Sequence, residues 1–502
     1  MIWTAIVLSF IASRAEQVEH HNARNKKMLE LTILIPLLAG GVIMFFPVQL
    51  GRKIMIATGL IHLLLTLTAT IGGAPPCISK YFSTTPEGLL ILLVTSFIFF
   101  FIAIYAGSYM QEVELSSEPL YLGCNLLFLS SMSMVALADH LVVLWIAIEA
   151  TTLMSAPLIF LHRSKKALEA TWKYVMICSV GIALALLGCF LIVLSMDLSG
   201  SHVPLTFSSL AQIAEQLDPT WLKAGFIFLI IGYGTKMGLA PMHTWLPDAH
   251  SEAPSPASAL LSGALLNCAF LGVYRGHQLL YQAGLGEFSG NILISFGLLS
   301  MLIAAIFIFD QTGYKRMLAY SSIENMGIIA FGVGIGGLAT YGAMLHLIHH
   351  SLIKSSLFLS AGNILLGYGS KLVEKTGDMA KLFPKTFIAF FAGFAGISGF
   401  PPFGVFISEV LIIMGAFQQG RTLAGTIFIL ALIFIFAGAS RLVMRMSFGT
   451  FNKEILVEEK WIRVLPSYAL LCTSFILCVW LPDSLYEIIL SAIATVGGGI
   501  NG

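Results

Sequence analysis

The chain has 502 residues, of which 57% are hydrophobic and only 11% are charged, and its formal net charge is +1. Soluble domains carry about a quarter charged residues, so this composition excludes a soluble enzyme, a nucleic-acid-binding protein and a disordered chain. The apolar segments are about 20 residues long and lack the alternation of β-barrel strands. We therefore predict an all-α polytopic membrane protein embedded in a lipid bilayer.

The first 28 residues form an N-terminal extension that does not follow the pattern of the rest. Its apolar segment 2–12 is too short to cross a membrane, and no basic region precedes it as in a signal peptide. The segment MLELTILIPLLAG, which starts at Met28, reads like the beginning of a membrane protein. We expect residues 1–27 to be dispensable; the alternative is that they form an interfacial helix.

Fourteen apolar segments follow, and each is long enough for a membrane helix. Backbone groups in lipid must be hydrogen-bonded within the segment, so each segment is predicted to be helical. The predicted spans cover residues 29–47, 54–73, 87–110, 119–138, 140–161, 169–196, 222–240, 256–282, 289–310, 316–337, 341–366, 386–417, 423–447 and 464–482. The short amphipathic segment 484–498 is predicted to lie at the membrane interface.

Basic residues are distributed unevenly between the two sides of these spans. Loops after odd-numbered spans, with the adjoining span ends, hold sixteen Lys and Arg residues, whereas the opposite side holds four beyond residue 28. Because basic loops stay in the cytoplasm, we predict that the odd-numbered loops are cytoplasmic and that both termini are extracytoplasmic. The expected location is the cell inner (plasma) membrane.

Ionisable side chains inside the predicted spans are few, and each costs at least ~2.5 kcal/mol to insert, so all are functional candidates. They are Glu149 in span 5, Lys173 in span 6, Lys236 in span 7, Glu324 in span 10, His346, His349, His350 and Lys354 in span 11, and Glu409 in span 12. Three of the span-11 residues recur every four positions and form one polar stripe. Histidine accepts and donates protons near neutral pH, so we predict a proton-transfer path without a catalytic residue or a metal ligand.

Two spans are predicted to be broken next to such a residue. Gly238 and Pro241 interrupt span 7 beside Lys236, and Pro401 and Pro402 interrupt span 12 before Glu409. Proline removes a backbone donor, and a broken helix at membrane depth is tolerated only where protein or a wet cavity surrounds it. The breaks therefore favour a transport function.

The spacing of these residues also predicts an internal repeat. Glu149 and Lys236 are 87 residues apart, and Glu324 and Glu409 are 85 apart. Five helices per unit would place the two units in opposite membrane orientations, as in transporters. The predicted organisation is accessory spans 1–3 over 29–110, two inverted five-helix units over 119–282 and 289–447, and a last span with the interfacial segment over 464–502.

Each charged group also has a plainer interpretation. The span-11 histidines could be packed against hydrogen-bonding neighbours, or His346 and His350 could bind zinc, although no carboxylate completes such a site. Glu149 and Lys236 could form a structural ion pair. Lys173 could reach the cytoplasmic surface, and Glu324 could be a hydrogen-bonding group only.

The seven cysteines form no CxxC pair, and neither a dinucleotide fingerprint nor a Walker A loop occurs. We therefore expect no cofactor in this chain. If redox chemistry is involved, the electrons move in another subunit.

Several motifs resemble one family in the same order along the chain. GTKMGLAPMHTWLPDAHSEAPSPASALLSG is similar to the signature of the antiporter-like subunits of complex I, which are shared with Mrp-type antiporters and membrane-bound nickel–iron hydrogenases. WIAIEATTLMS, ALEATWKYVM, HHSLIKSSLFLSAG and GISGFPPFGVFISE resemble further stretches. SSIENMGI favours the hydrogenase-4 branch, that of the component F proteins of formate hydrogenlyase-like complexes.

The resemblance implies roles for matching residues. Glu149, Lys236 and Glu409 match the core proton-transfer residues of the family, and Lys173 and the span-11 polar residues match intermediate positions. Family members often have a central lysine in span 8, where this chain has Asn267. An amide cannot carry a proton at neutral pH, which weakens the inference of full pumping.

The resemblance also implies partners and a function. It implies other membrane subunits and a peripheral redox arm on the cytoplasmic side, with nickel–iron and iron–sulfur centres in those partners. The expected function is proton translocation coupled to redox chemistry, with Glu149 paired to Lys236 at rest. The alternatives are an Mrp-type Na⁺/H⁺ antiporter subunit and a passive scaffold that holds hydrogenase modules in the membrane.

Overall fold

The computed structural model describes residues 25–72, 78–113, 117–451 and 455–497, which form helices and connecting turns without a β-strand in those ranges. Helix α1 covers 25–43. Helices α2 to α20 are Val48–Ile71, Pro86–Tyr109, Glu118–Leu137, Leu141–Ile159, Lys165–Leu198, Phe207–Gln212, Pro219–Met237, Trp245–Glu252, Ser255–Leu260, Leu266–Gln282, Gly286–Ile308, Tyr314–Ile335, Leu338–Tyr368, Met379–Leu382, Pro384–Ile397, Gly404–Gln418, Thr422–Phe448, Trp461–Val479 and Asp483–Ala494.

The predicted all-helical membrane fold is confirmed. Eleven helical segments within the described ranges are long and apolar enough to cross a membrane, and each corresponds to one predicted span. The other three predicted spans correspond to α1, to the more polar α14 and to the shorter pair α16 and α17. The total of fourteen spans and the division into two inverted units remain predictions.

Both predicted breaks are present. Helix α8 ends at Met237, where Gly238 adopts a left-handed conformation with φ of 83°, and a short turn leads into α9. Helix α16 ends at Ile397, and the chain passes Gly399, with φ of 69°, before α17 begins at Gly404. Positive φ values suit glycine because it has no Cβ, so each break lies where the sequence supplies that residue.

Three central elements carry several polar residues of the site. Helix α14 is buried along almost its whole length, and so are α13 and the continuous segment Ser255–Gln282, which joins α10 to α11 through the π-helical residues Leu261–Leu265. Helix α14 packs against α13, α16, α17 and α19. Outer helices such as α6 and α18 instead expose large apolar side chains, as expected for helices that face lipid.

Loops from alternate spans gather on opposite faces of the molecule. On one face, Arg316 contacts Asp248, and Gly313 bridges to Leu372. On the other face, His140 bridges to Thr206. This alternation agrees with the predicted parity of the spans, while the assignment of the first face to the cytoplasm remains a prediction.

Some predictions concern residues outside the described ranges. These are most of the N-terminal extension, residues 1–24, and the terminal Gly502 that was predicted to be extracytoplasmic. Cys77 and Lys453 also lie outside them. The interfacial segment is described to residue 497: its helix α20 packs against α3 and α14, and Tyr274 donates a hydrogen bond to the carbonyl of Ala492 over 2.9 Å.

Candidate functional site

Lys236 is a fully buried ammonium group in the last turn of α8, two residues before Gly238. Its Nζ donates hydrogen bonds to Thr152 Oγ1 and to the Tyr174 hydroxyl, both over 2.7 Å. The Tyr174 hydroxyl is also 2.6 Å from Ser155 Oγ. Both acceptors are uncharged, so they satisfy two donors of the ammonium without neutralising its charge. A buried charge without a counter-ion in contact is costly, which marks this position as functional.

The predicted direct pair between Glu149 and Lys236 is wrong. Thr152 stands between them: it accepts from Lys236 and donates to Glu149 Oε2 over 3.3 Å. Ser179 donates to Glu149 Oε1 over 2.8 Å. Glu149 and Thr152 are three residues apart on α5 and therefore share a face, and the threonine is the member of that face that reaches the lysine. A hydroxyl thus links the two charged groups.

Asn267 occupies the centre of the helix bundle, directly after the π-helical segment. Its Nδ2 donates to Ser351 Oγ on α14 over 2.7 Å and to the carbonyl of Gly263 over 3.0 Å. Its Oδ1 is buried without a hydrogen-bond partner in the described part of the chain. The next residue, Cys268, is buried near Lys236. Asn267 and Cys268 therefore connect the Lys236 pocket to α14.

The polar stripe of α14 is confirmed as buried. His346 lies 3.0 Å from Asn325 Oδ1 and 2.9 Å from Ser408 Oγ, so both its ring nitrogens have partners. His350 has no partner at either ring nitrogen among the residues the structure describes. Lys354 Nζ donates to the carbonyl of Leu318 over 2.7 Å. His350 and Lys354 thus retain unused hydrogen-bonding capacity.

The remaining histidine of this helix fits the packing interpretation. His349 Nδ1 lies 3.0 Å from Ser474 Oγ on α19, on the face adjoining the stripe. No group of three potential metal ligands occurs within the described ranges. A zinc site at His346 and His350 therefore has no support from the geometry.

Glu324 and Glu409 line one partly enclosed cavity of about 30 Å³ together with Ser321 and Ser398. A cavity needs ~10–15 Å³ for one water, so this one has room for about two. Lys354 interacts electrostatically with Glu324. The structure therefore brings together the charged residues of spans 10, 11 and 12, as the sequence suggested.

Lys173 is not part of this buried group. Its side chain is 45% exposed, and its Nζ contacts Glu169 over 2.6 Å and Asp248 over 3.1 Å. It lines an open cavity of about 630 Å³, which we call the vestibule, with Asp248, Glu252 and Arg316 among its other lining residues. The surface-reaching interpretation of Lys173 fits this position better than a place inside the path.

Several participating residues were not found from the sequence. Thr152 lies in a helix, where most threonine hydroxyls only bond to the preceding turn, and Tyr174 is one of several aromatic residues in apolar helices, so no pattern distinguished them. The only available signal was position: Thr152 lies three residues after Glu149 in the same helix.

A buried ion pair was also missed. Arg275 Nε is 3.5 Å from Glu87 Oε1, and both side chains are almost fully buried. Arg275 also donates to Thr85 Oγ1 over 3.0 Å and to the carbonyl of Ala138. Both residues lie near predicted span ends, where charges are normally solvated, so no sequence pattern selected them. Because arginine stays protonated, this pair is suited to holding helices together rather than to carrying protons.

Comparisons with known proteins agree with this geometry. The family model described as NADH:quinone oxidoreductase/Mrp antiporter, TM, matches residues 138–436. A hydrogenase-4 component F homolog from Methylacidiphilum infernorum is 36% identical over 75% of this chain and 80% of its own length. Hydrogenase-4 component B from Escherichia coli is 32% identical over 66% of this chain and half of its own length.

Two solved structures share the fold. The membrane-bound sulfane sulfur reductase, an archaeal respiratory membrane complex, contains a chain with a TM-score of 0.84 and 22% identity, over 94% of this chain and 98% of that one. The Mrp complex from Dietzia contains a chain with a TM-score of 0.80 and 18% identity, over 94% and 97%. Both similar chains belong to multi-subunit membrane assemblies.

Proposed function

Because the chain belongs to the NADH:quinone oxidoreductase/Mrp antiporter transmembrane family, we propose that it is a proton-translocating membrane subunit of a multi-subunit redox complex. The family resemblance predicted from the sequence is thereby confirmed. The proposed complex is of the complex I or membrane-bound, formate hydrogenlyase-like hydrogenase type. Its other membrane subunits and a peripheral arm on the cytoplasmic side would hold the nickel–iron and iron–sulfur centres.

The observation that carries this proposal is the buried Lys236 with uncharged acceptors. Lys236 would hold the proton, and Glu149 would control it through the hydroxyl of Thr152. A released proton would pass the amide of Asn267 to the α14 stripe at His350 and Lys354. Glu324 and Glu409 would receive it at their shared cavity. Each proposed step uses a titratable group or a hydrogen-bonding group, and all of these groups are buried except Glu149, which is half-buried.

The energy of transport favours a switched site over an open pore. Moving one elementary charge against about 200 mV costs roughly 4.6 kcal/mol. A fixed, hydrated pore would let protons return down this gradient. Making and breaking contacts to a buried ammonium changes the free energy of holding its proton by several kcal/mol. This change is large enough to match the cost of moving one charge against the gradient. A passive scaffold would gain nothing from the buried charges.

An Mrp-type sodium/proton exchange is the second candidate, and one observation favours it. Two carboxylates and two hydroxyl side chains line the cavity between α13 and α17, and oxygen ligands suit a hard cation. Measuring proton translocation in vesicles without sodium would separate the two. Full activity without sodium supports proton transport, and an absolute sodium requirement supports exchange.

Lys236→Met tests the primary proposal because it removes the proton carrier and keeps the apolar packing. We expect the purified complex to assemble and retain most of its electron transfer, while proton translocation in vesicles falls sharply. Glu149→Gln should behave similarly, and the double variant should be little worse than either single variant because the groups act as one unit.

Lys223→Met is the matched control. Lys223 lies near the other end of α8, over the Phe288 ring at 5.4 Å, and its loss should leave translocation unchanged. If Lys236→Met assembles and translocates protons at the wild-type rate, the proposed function is wrong at this site.

A further inference from the structure

Helix α9 separates the vestibule from the Lys236 pocket. Asp248, Ser251 and Glu252 line the vestibule. Trp245 and His250, on the same helix, are completely buried. The helix is only eight residues long and follows the break after α8. It is therefore a short amphipathic segment between a charged, open cavity and the buried site.

Ion pairs from three other elements hold the outer side of α9. Asp248 contacts Lys173 on α6 over 3.1 Å and Arg316 on α13 over 2.6 Å. Glu252 contacts Lys371, in the segment after α14, over 3.0 Å. Single exposed ion pairs contribute little, but Asp248 is shared by two cations from different helices. That shared carboxylate fixes the position of α9 between α6 and α13.

The inner side of α9 reaches the proposed proton carrier. Trp245 packs on Tyr174 with ring centroids 4.9 Å apart, and its Nε1 donates to the carbonyl of Thr235 over 2.8 Å. Tyr174 is an acceptor of Lys236. One helix thus connects the carboxylate of Asp248 to the aromatic ring beside Lys236.

His250 shows that this helix also covers buried polar groups. Its ring stacks on Phe358 at 4.8 Å, and neither ring nitrogen has a hydrogen-bond partner within the described ranges. A polar group buried in this way is destabilising, so a segment that keeps it there must be held by other contacts. The ion pairs of Asp248 and Glu252 are suited to that role.

We propose that α9 is a plug between the vestibule and the Lys236 pocket, and that Asp248 is the positioning residue that keeps the plug closed. Loss of the Asp248 charge releases α9 from α6 and α13. The vestibule then gains access to the pocket beneath Trp245. The idea that protons use this access rests on the proposed function, whereas the plug itself can be tested without any transport measurement.

Native cysteines report on the plug. Cys178 and Cys268 are buried and lie near Lys236, Cys178 one turn after Tyr174 on α6. Cys189 is also buried on α6, three turns further along the helix, and Cys124 is buried on α4. Treatment of the purified complex with N-ethylmaleimide, followed by peptide mass spectrometry, gives a labelling rate for each cysteine separately.

Asp248→Asn should raise the labelling rate of Cys178 or Cys268 by roughly five- to tenfold through the loss of two ion pairs. The rates of Cys189 and Cys124 should stay unchanged. Asp248→Glu keeps the charge and should restore slow labelling. Glu374→Gln, which breaks an exposed pair with Arg445 at 3.7 Å, is the matched control and should have no effect.

Two results would contradict the proposal that α9 is a plug. One is unchanged labelling of Cys178 and Cys268 in Asp248→Asn; the other is faster labelling of all four buried cysteines, which would indicate general loosening. If Asp248→Asn exposes the pocket cysteines while Lys236→Met translocates protons normally, the plug stands and the proposed function fails.

Discussion

The hydroxyl of Thr152 is the smallest group on which the proposed mechanism depends. It accepts a hydrogen bond from Lys236 and donates one to Glu149. The hydroxyl proton of Thr152 therefore sets the direction of this hydrogen-bond chain, from the lysine to the carboxylate. A direct ion pair would stabilise the charged lysine more strongly, because Coulomb attraction falls with distance. The intervening hydroxyl therefore leaves Lys236 freer to release its proton.

Thr152→Val tests this role, since valine has nearly the same shape and lacks the hydroxyl. We expect assembly to be retained and proton translocation to fall, because Lys236 loses one acceptor and its link to Glu149. The measurement is proton uptake in vesicles at matched electron-transfer rates. Thr151→Val is a suitable control, since Thr151 bonds only to the Ile148 carbonyl. Equal translocation in the two variants would contradict the role of Thr152.

Glu112, after the end of α3, gives a pH-dependent test of stability. Hydrogen bonds from Lys460, over 2.7 Å, and Arg463, over 2.8 Å, hold the pKa of the Glu112 carboxyl below its ordinary value. A lowered pKa in the folded state stabilises the protein above the unfolded pKa of about 4.3, and this stabilisation is lost as pH falls through the folded value.

Glu112→Gln should therefore lower the thermal unfolding midpoint at neutral pH and leave it unchanged below the folded pKa. The measurement is thermal unfolding in detergent as a function of pH. The effect should be small, because Lys460 is exposed to solvent and screened. A difference from wild type that persists undiminished at low pH would show that pairing is not its cause.

At the scale of elements, the two broken spans were predictable, but the contacts around them were not. Gly and Pro at 238–241 and 399–402 identify the breaks because few other residues tolerate or impose these backbone conformations. Helix α9 was not predicted as a helix: its segment contains Pro247 and several polar residues. Its position depends on Lys173, Arg316 and Lys371, which are remote in sequence. The π-helical segment before Asn267 also has no sequence signal.

Gly399→Ala tests the second break. Its φ of 69° is unfavourable for alanine, and a Cβ there would contact Glu409 Oε2. We expect a loss of about 1–2 kcal/mol in stability from the backbone, together with reduced proton translocation from the displaced carboxylate.

Gly420→Ala is the matched control for that variant. Gly420 has a φ of 68°, and a Cβ there would meet nothing within 4 Å. It should therefore lose similar stability without losing translocation. Equal translocation in the two variants would show that the contact with Glu409 has no functional effect.

At the scale of the whole molecule, composition was sufficient to predict a helical membrane protein, and motif order was sufficient to predict its family. Span parity also indicated which loops share a face. The sequence could not establish the residue-level contacts, because helices distant in sequence determine which polar groups meet. Thr152 reaches Lys236 across 84 residues, and Asn267 reaches Ser351 across another 84.

Orientation in the membrane is the prediction that belongs to this scale. Lys375 is exposed on the face of the vestibule loops, and Lys80 is exposed in the segment between α2 and α3 on the opposite face. With a membrane-impermeant maleimide on intact cells, Lys80→Cys should be labelled and Lys375→Cys should be labelled only after permeabilisation. The reverse pattern would invert the assigned orientation.

The amide of Asn267 has a consequence for how closely positive charges can follow one another. Its contact with Ser351 and the position of Cys268 near Lys236 place an uncharged group between the two buried lysines, Lys236 and Lys354. A lysine at the same point would add a third positive charge between them. Coulomb repulsion grows as charges approach. With an amide at this position instead of a lysine, less free energy is needed to protonate Lys236 while Lys354 is still protonated. On the proposed route, a second proton could therefore enter at Lys236 before the first has left Lys354.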